Sequence, residues 1–310
     1  MSFSIVFPGQ GSQVIGMMKE LAEQHDLVKE LFVQASDILH IDLWKMSQEG
    51  AIEELSQTQN TQPALLTAGV AAWQVWQKLG GEQPQMMAGH SLGEYTALVC
   101  AGSLSFADGV ALVRDRGRYM QDAVPEGVGG MAAILGLDDD VVKDVCRVAA
   151  EDDVLQAVNF NAPGQVVIAG TSAAIDRGIA QLKEAGAKRA LSLPVSIPAH
   201  SSLMSPASKR LAKRIESITI QMPSIPVLHN YNVDVAENAE MISQNLVAQL
   251  DSPVRWVESI EKMHQQGIGT FIESGPGRVL GGMVKRIVKG VNVGCIDKPT
   301  TITELITSVS

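Results

Sequence analysis

Ser91 stands in the run Gly89-His90-Ser91-Leu92-Gly93, behind the apolar stretch Met86-Met87-Ala88 and ahead of a helix-like segment from Glu94 to Cys100. A G-x-S-x-G run between a strand and a helix has the form of a nucleophile elbow. The turn is too sharp for large flanking residues, and the serine hydroxyl stands exposed at the top of a sheet, with the first N–H groups of the helix aimed at whatever it attacks. The same five residues also fit a Gly-flanked serine in an ordinary turn, and the rest of the chain decides between the two; a serine nucleophile has further requirements. It needs a base for its proton, a pair of donors for the oxyanion and a group that orients the base.

Histidine is the base suited to neutral pH, and the chain has six: His25, His40, His90, His200, His229 and His264. His25, His40 and His264 lie in or beside polar helical stretches and read as solvated surface residues. His90 adjoins the serine, but an elbow turns neighbouring side chains away from one another. His229 falls in a strand pattern and reads as a core or strand-end residue. His200 sits in the loop Val195-Ser196-Ile197-Pro198-Ala199-His200-Ser201. Loops on rigid scaffolds are where catalytic side chains concentrate, which makes His200 a candidate base.

These residues need a scaffold, and the rest of the chain supplies one. At 310 residues, 45% hydrophobic and 19% charged, it has the composition of a folded protein with one large domain and a smaller one. Phe3 to Phe7 reads as a buried strand rather than a signal peptide, and it runs into the loop Pro8-Gly9-Gln10-Gly11-Ser12-Gln13. Helical patterns follow at Met17–Leu39, Gly50–Gln57 and Pro63–Leu79. Ser105-Phe106-Ala107-Asp108 reads as a capping box. It opens a helix with Phe106, Val110, Val113 and Met120 on one face.

From Gly127 to Leu193 the rhythm changes. Strand (Gly130–Leu135), helix (Asp138–Ala150), two strands (Val154–Phe160, Gln165–Ala169), helix (Ser172–Ala185) and strand (Ala187–Leu193) give the ferredoxin-like order. The chain returns through the Pro-rich loop Pro194 to Pro206. A strand at Val227–Asn230, helices at Ala239–Leu250 and Val254–Gln266, a strand at Thr270–Glu273, the Gly275-Pro276-Gly277 turn and a last basic helix complete it. The expected class is therefore α/β. A large α/β-hydrolase-like domain with a parallel sheet and a nucleophile elbow (1–126 and 194–310) carries a small ferredoxin-like α+β subdomain (127–193).

Composition narrows the function. The balance of 24 Lys+Arg against 34 Asp+Glu gives a net charge of −10, which opposes nucleic-acid binding. The most apolar window, Ala64 to Trp76, is broken by Thr67, Gly69 and Gln74 and is too short to span a bilayer. Cys100, Cys146 and Cys295 form neither a C-x-x-C pair nor an even framework. These features predict a reduced, cytoplasmic protein without structural zinc.

Several motifs occur in a fixed order: Phe7-Pro8-Gly9-Gln10-Gly11-Ser12-Gln13, Gln62-Pro63-Ala64, Gly89-His90-Ser91-Leu92-Gly93-Glu94, Arg116-Gly117 and Pro198-Ala199-His200, with Gln249 and Glu273-Ser274-Gly275-Pro276-Gly277 after them. In this set the chain resembles the malonyl-CoA:acyl carrier protein transacylases of bacterial fatty-acid synthesis, from about Phe3 to Val288. The resemblance implies Ser91 as nucleophile and His200 as general base and then general acid. It also implies an oxyanion hole from the backbone N–H groups of Gln10 and Leu92, and an imidazole oriented by a carbonyl oxygen matching Gln249 rather than by an aspartate. A malonyl thioester ends in a free carboxylate, for which a guanidinium offers a charged bidentate fork. Periodicity puts Arg114 and Arg116 on opposite flanks of the apolar helix face and Arg118 further out, so spacing does not choose between the first two. The resemblance picks Arg116 and leaves Arg114 and Arg118 as solvated helix arginines.

The implied partners are malonyl-CoA and acyl carrier protein, with no metal or other cofactor, no nucleic acid and no membrane; a monomer is expected. Carriers of this kind are acidic, so docking needs a local positive surface, for which Lys188, Arg189, Arg278, Lys285, Arg286 and Lys289 are candidates. Ala199, and Asp251-Ser252 beside Gln249, are positions where the family pattern varies. Two other readings compete. An esterase or thioesterase of the α/β-hydrolase type shares G-x-S-x-G, but it places several strands before the elbow and uses an HGGG-type loop. A non-catalytic acyl-binding domain would have no use for Ser91, His200, Arg116 and Gln249 together.

Overall fold

The computed structural model describes residues 2–125, 127–195 and 197–309. Glu126, at the expected domain boundary, and Ser196, in the His200 loop, lie outside the described residues. The strands in chain order are β1 (Phe3–Phe7), β2 (Met86–Gly89), β3 (Gly129–Leu135), β4 (Leu155–Ala162), β5 (Gln165–Thr171), β6 (Arg189–Ser192), β7 (Val227–Leu228), β8 (Thr270–Glu273) and β9 (Asn292–Cys295).

A five-stranded sheet runs β7-β2-β1-β8-β9, every neighbouring pair parallel. All residues of β1, β2 and β8 are buried, as expected of parallel strands covered on both faces. Phe7 lies opposite Gly89, Val6 opposite Glu273, Ala88 opposite Leu228 and Glu273 opposite Cys295. The strands therefore end together. The loops after β1, β2, β7 and β8 meet at one carboxyl edge, where open α/β sheets bind their ligands.

The second sheet runs β4-β5-β3-β6, antiparallel throughout, and its helices are Asp139–Ala150 and Ser172–Glu184. Strand alternation gives it two faces. Ala132, Ile134, Val166 and Ile168 pack with residues of the two helices. Met131, Val167 and Ala169 face the other way, toward Leu193, Val195 and Ala199. Register shifts in β4 fall between Ala157 and Asn159 and between Phe160 and Ala162. There the free edge of β4 meets the large domain while β5 stays paired on its other side: Phe160 N–H donates to Val254 O at 3.0 Å, and Val254 N–H donates to Val158 O at 2.8 Å.

Several elements differ from their sequence expectation. The first long helix divides into Lys19–Gln24 and Asp26–Leu39 at an extended His25. The expected helix at Gly50–Gln57 shrinks to Ile52–Leu55, and a separate helix, Leu43–Glu49, is capped by Asp42. Helix Ser205–Ile215 starts inside the expected Pro-rich loop, because Pro206 suits the first turn of a helix. The basic helix Val279–Ile287 is not the last, since β9 and helix Pro299–Val309 follow it.

The central helix begins at Thr58, five residues before Pro63. Proline lacks the N–H that would bond the carbonyl of Gln59. Arg114 Nη1 takes that carbonyl instead, at 3.0 Å, and also reaches Asn60 Oδ1. Arg114 is thus a structural tie and not the solvated helix arginine expected from its position. Replacing it with Met should destabilise the fold by about 1–3 kcal/mol, the cost of stranding such a carbonyl. Urea denaturation checks this, with a lowered midpoint at constant slope as the expected result.

Candidate active site

Ser91 closes the turn between β2 and helix Leu92–Cys100 with φ 52° and ψ −108°, a left-handed conformation that costs a non-glycine residue about 1–3 kcal/mol. The surroundings enforce it. A Cβ on Gly89 would lie 1.8 Å from the carbonyl carbon of Gly93, and one on Gly93 would lie 2.0 Å from Phe7 O. Asn230, just past β7, clamps the strained backbone: its Oδ1 accepts from Ser91 N–H at 2.7 Å and its Nδ2 donates to Gly89 O at 2.7 Å.

The Ser91 hydroxyl lies 2.7 Å from His200 Nε2 and donates to it. His200 Nδ1–H donates to the main-chain carbonyl of Gln249 at 2.8 Å, which fixes the tautomer that leaves Nε2 as acceptor. Gln249 ends helix Ala239–Gln249. Its carbonyl is free because the last carbonyls of a helix have no intrahelical partner, and it carries the partial negative charge of the helix C-terminus. Burial lowers the His200 pKa to about 3, helped by the neighbouring Arg116 charge and opposed by the Gln249 carbonyl. The imidazole is neutral at physiological pH, and its Nε2 lone pair faces the Ser91 proton.

Arg116 points inward from helix Phe106–Ala123 and is 1% exposed. Its Nη1 donates to Gln62 Oε1 at 2.9 Å, and its Nη2 donates to Gln249 Oε1 at 3.0 Å and to Ser91 Oγ at 3.2 Å. The guanidinium carbon lies 5.2 Å from the Tyr95 ring centre, and Nε has no hydrogen-bond partner among the described residues. Its hydrogen-bond partners are two amides and a hydroxyl, all neutral. A cation buried without a carboxylate costs several kcal/mol, of the order quoted for unpaired buried charges. The site is therefore built to receive an anion. Arg118 pairs with Asp115 at 3.7 Å and is half exposed.

Ser91, His200 and Arg116 line a cavity of about 340 Å³ together with Gln10 and Leu92. Leu92 opens its helix, so its N–H has no intrahelical acceptor. The Gln10 loop is pressed against the elbow at Gly9, where a Cβ would lie 2.6 Å from His90 O. The opposite wall comes from the small sheet through Met131, Asn159 and Val167, and the side wall from Leu280 and Met283. Asn159 Oδ1 is buried there without a hydrogen-bond partner among the described residues. A larger cleft of about 600 Å³ shares Gln10, Thr58, Val195 and Ile197 with this cavity.

The structure gathers every residue assigned to the site by the sequence, but it divides the work of Gln249. The main chain serves His200, and the fully buried side chain serves Arg116. Gln62, Glu94, His229 and Asn230 carry no role in the sequence reading. The available signal was polar residues inside apolar runs, as in Gln62-Pro63-Ala64-Leu65-Leu66 and Leu92-Gly93-Glu94-Tyr95. His90 points away from Ser91, as an elbow requires, and donates from Nε2 to Asn161 Oδ1 at 2.8 Å. His25 is half-buried, while His40 and His264 are exposed.

The low His200 pKa has a direct consequence. Phosphonylation of Ser91 by a fluorophosphonate probe should proceed at a nearly constant rate from pH 7.5 to pH 5. An imidazole with the ordinary value of about 6.5 would lose roughly thirtyfold over that range. Mass spectrometry of the labelled protein follows the rate, and a fall of that size would show that His200 titrates normally.

The acyl transferase domain family matches residues 4–297. The malonyl CoA-acyl carrier protein transacylase of Escherichia coli (strain K12) is 52% identical over 300 residues, covering 97% of this chain and 97% of that protein. Its counterpart from Haemophilus influenzae is 54% identical over 287 residues, 92% of each. The solved transacylase of Coxiella burnetii superposes with a TM-score of 0.98 at 49% identity, over 99% of this chain and 97% of that one. A malonyl-transacylase solved in complex with a type II PKS acyl-carrier protein gives 0.98 at 48%, over 99% and 100%.

Proposed function

Because the chain belongs to the malonyl-CoA:acyl carrier protein transacylase family of acyl transferases, we propose that Ser91, His200 and Arg116 carry malonyl transfer in two half-reactions. The protein is an acyltransferase. It moves the malonyl group from malonyl-CoA to the phosphopantetheine thiol of acyl carrier protein and so supplies fatty-acid synthesis. The observation that carries the assignment of residues is the buried Arg116 cation, 3.2 Å from the same Ser91 Oγ that lies 2.7 Å from His200 Nε2. One anionic acyl group completes that arrangement.

In the first half-reaction Ser91 Oγ attacks the thioester carbonyl and His200 Nε2 takes its proton. The backbone N–H groups of Gln10 and Leu92 hold the oxyanion. The C–S bond then breaks, the leaving sulfur takes the proton from His200, and a malonyl ester remains on Ser91. In the second, the carrier thiol gives its proton to His200 and attacks the ester, and Ser91 Oγ leaves with that proton. Arg116 holds the malonyl carboxylate throughout. Its charge disfavours the imidazolium in the empty site. A bound carboxylate offsets that charge, so His200 becomes a stronger base when a carboxylated acyl group is in place.

The chemistry uses no metal or other cofactor, since CoA and the carrier enter as substrates. Residues 1–126 and 194–310 supply the nucleophile, base and arginine, and 127–193 form the subdomain whose sheet closes the cavity. We place the reaction in the cytoplasm, consistent with three free thiols at Cys100, Cys146 and Cys295. No helix among the described residues is long and apolar enough to cross a membrane.

Mixing with malonyl-CoA should add one malonyl group to the intact protein, and Ser91→Ala should abolish the adduct and lower kcat by at least ~10³. Arg116→Ala should weaken malonyl transfer and raise acetyl transfer. An adduct that survives Ser91→Ala overturns the reading, and rapid hydrolysis without transfer to holo-carrier favours a thioesterase. Among the basic residues considered for carrier docking, Arg286 is already engaged: its Nη2 donates to Pro163 O at 2.9 Å. The docking charge is assigned to the exposed Lys285 and Lys289, whose bond from Lys289 Nζ to Lys285 O, at 3.4 Å, lies within the patch itself, whereas Arg286 ties the patch to the small subdomain. Reversing both to Glu should raise KM for the carrier several-fold and leave KM for malonyl-CoA in place; equal effects on both substrates would remove the assignment.

A further inference from the structure

Glu94 takes no part in the reaction as written, yet its side chain is fully buried beneath the site. Its Oε1 accepts from His229 Nδ1–H at 2.7 Å. Its Oε2 accepts from Asn230 N–H at 2.8 Å and from Gln249 Nε2 at 2.9 Å. Gln249 Nε2 also donates to Ser91 O at 3.0 Å.

A glutamine amide has a donor end and an acceptor end. With a carboxylate and a carbonyl on one side, its Nε2 must face them, and Oε1 is left facing Arg116 Nη2. Reversing the amide would set N–H against a guanidinium N–H, and oxygen against both a carboxylate and a carbonyl. Each of those contacts is repulsive and buried. We propose that Glu94 is a specificity-determining positioning residue. By fixing the sense of the Gln249 amide, it holds the Arg116 guanidinium where the acyl carboxylate is read.

This inference rests on the reading of Arg116 as the carboxylate holder. His200 is held by the main chain of Gln249 and not by its amide. Misorientation of the amide therefore reaches substrate discrimination before it reaches the base. Asn230 gives Glu94 a second, structural task at the elbow, and the test must separate the two.

The test is the ratio of kcat/KM for malonyl-CoA to that for acetyl-CoA in the full-length enzyme and its variants. Glu94→Met removes the acceptor and should lower the ratio by about tenfold or more. Glu94→Gln keeps an acceptor oxygen in place and should hold the ratio within about threefold of the parent. A structural role alone would depress both substrates together and leave the ratio unchanged, which would overturn the proposal. So would a Glu94→Gln variant that loses as much discrimination as Glu94→Met. If Glu94→Met does not fold, Gln249→Met removes the amide while keeping the carbonyl that holds His200; it should also lower the ratio by about tenfold, and an unchanged ratio overturns the proposal. Arg116→Ala, measured in parallel, separates the two failures. If it lowers the ratio while Glu94→Met and Gln249→Met do not, only the role of Glu94 falls. If it too leaves the ratio unchanged, the reading of Arg116 falls with it.

Discussion

A guanidinium buried without a carboxylate beside it is the constraint around which the site is arranged. Arg116 has given up water for Gln62, Gln249 and the edge of the serine nucleophile. None of these neutralises it. A direct ion pair would have made the empty protein more comfortable and left nothing for an anion to gain on binding. The nearby carboxylate of Glu94 is kept one amide away, across Gln249.

That amide can stand where it does only because three loops converge. The parallel sheet ends its strands at a common edge, bringing the elbow after β2 together with His229 and Asn230 after β7. Helix Ala239–Gln249 terminates against both. The strained Ser91 backbone is held by Asn230, whose own backbone is held by Glu94 from the elbow helix. Ser91, Arg116 and His200 are thus positioned by one buried hydrogen-bonded unit, and the low dielectric around it makes each misplaced partner costly.

Much of this was legible in the residues. The β-α-β-β-α-β order is legible from local pattern, because short apolar strands and amphipathic helices follow one another, and Thr171 caps the second helix by accepting from Ala174 N–H. The elbow was legible because only glycine fits its flanks. What escaped depended on contacts distant in sequence. The central helix starts before Pro63 because Arg114, 55 residues beyond Gln59, satisfies the Gln59 carbonyl that proline frees. β9 and the final helix carry weak local signals: Asn292 and Gly294 are poor strand formers, and β9 lies at the sheet edge. His229 reads as a core or strand-end residue and is buried, but the partner of Glu94 could not be read, since a carboxylate in an apolar run looks the same whether it meets water or a histidine 135 residues later.

The choice of a carbonyl over an aspartate as the partner of His200 follows from Arg116. A carboxylate on Nδ1 would stabilise the imidazolium better. Placed within reach of a buried guanidinium, however, it would be drawn to that charge, spoil the imidazole geometry and compete with the acyl carboxylate for the fork. A main-chain carbonyl at a helix end offers the right acceptor and part of the right charge, and it cannot leave. The cost is a base that is weak in the empty site. Burial is the first cause of that weakness and the Arg116 charge the second; in the proposed reaction the acyl carboxylate offsets the Arg116 share, so recognition and activation are two effects of a single charge.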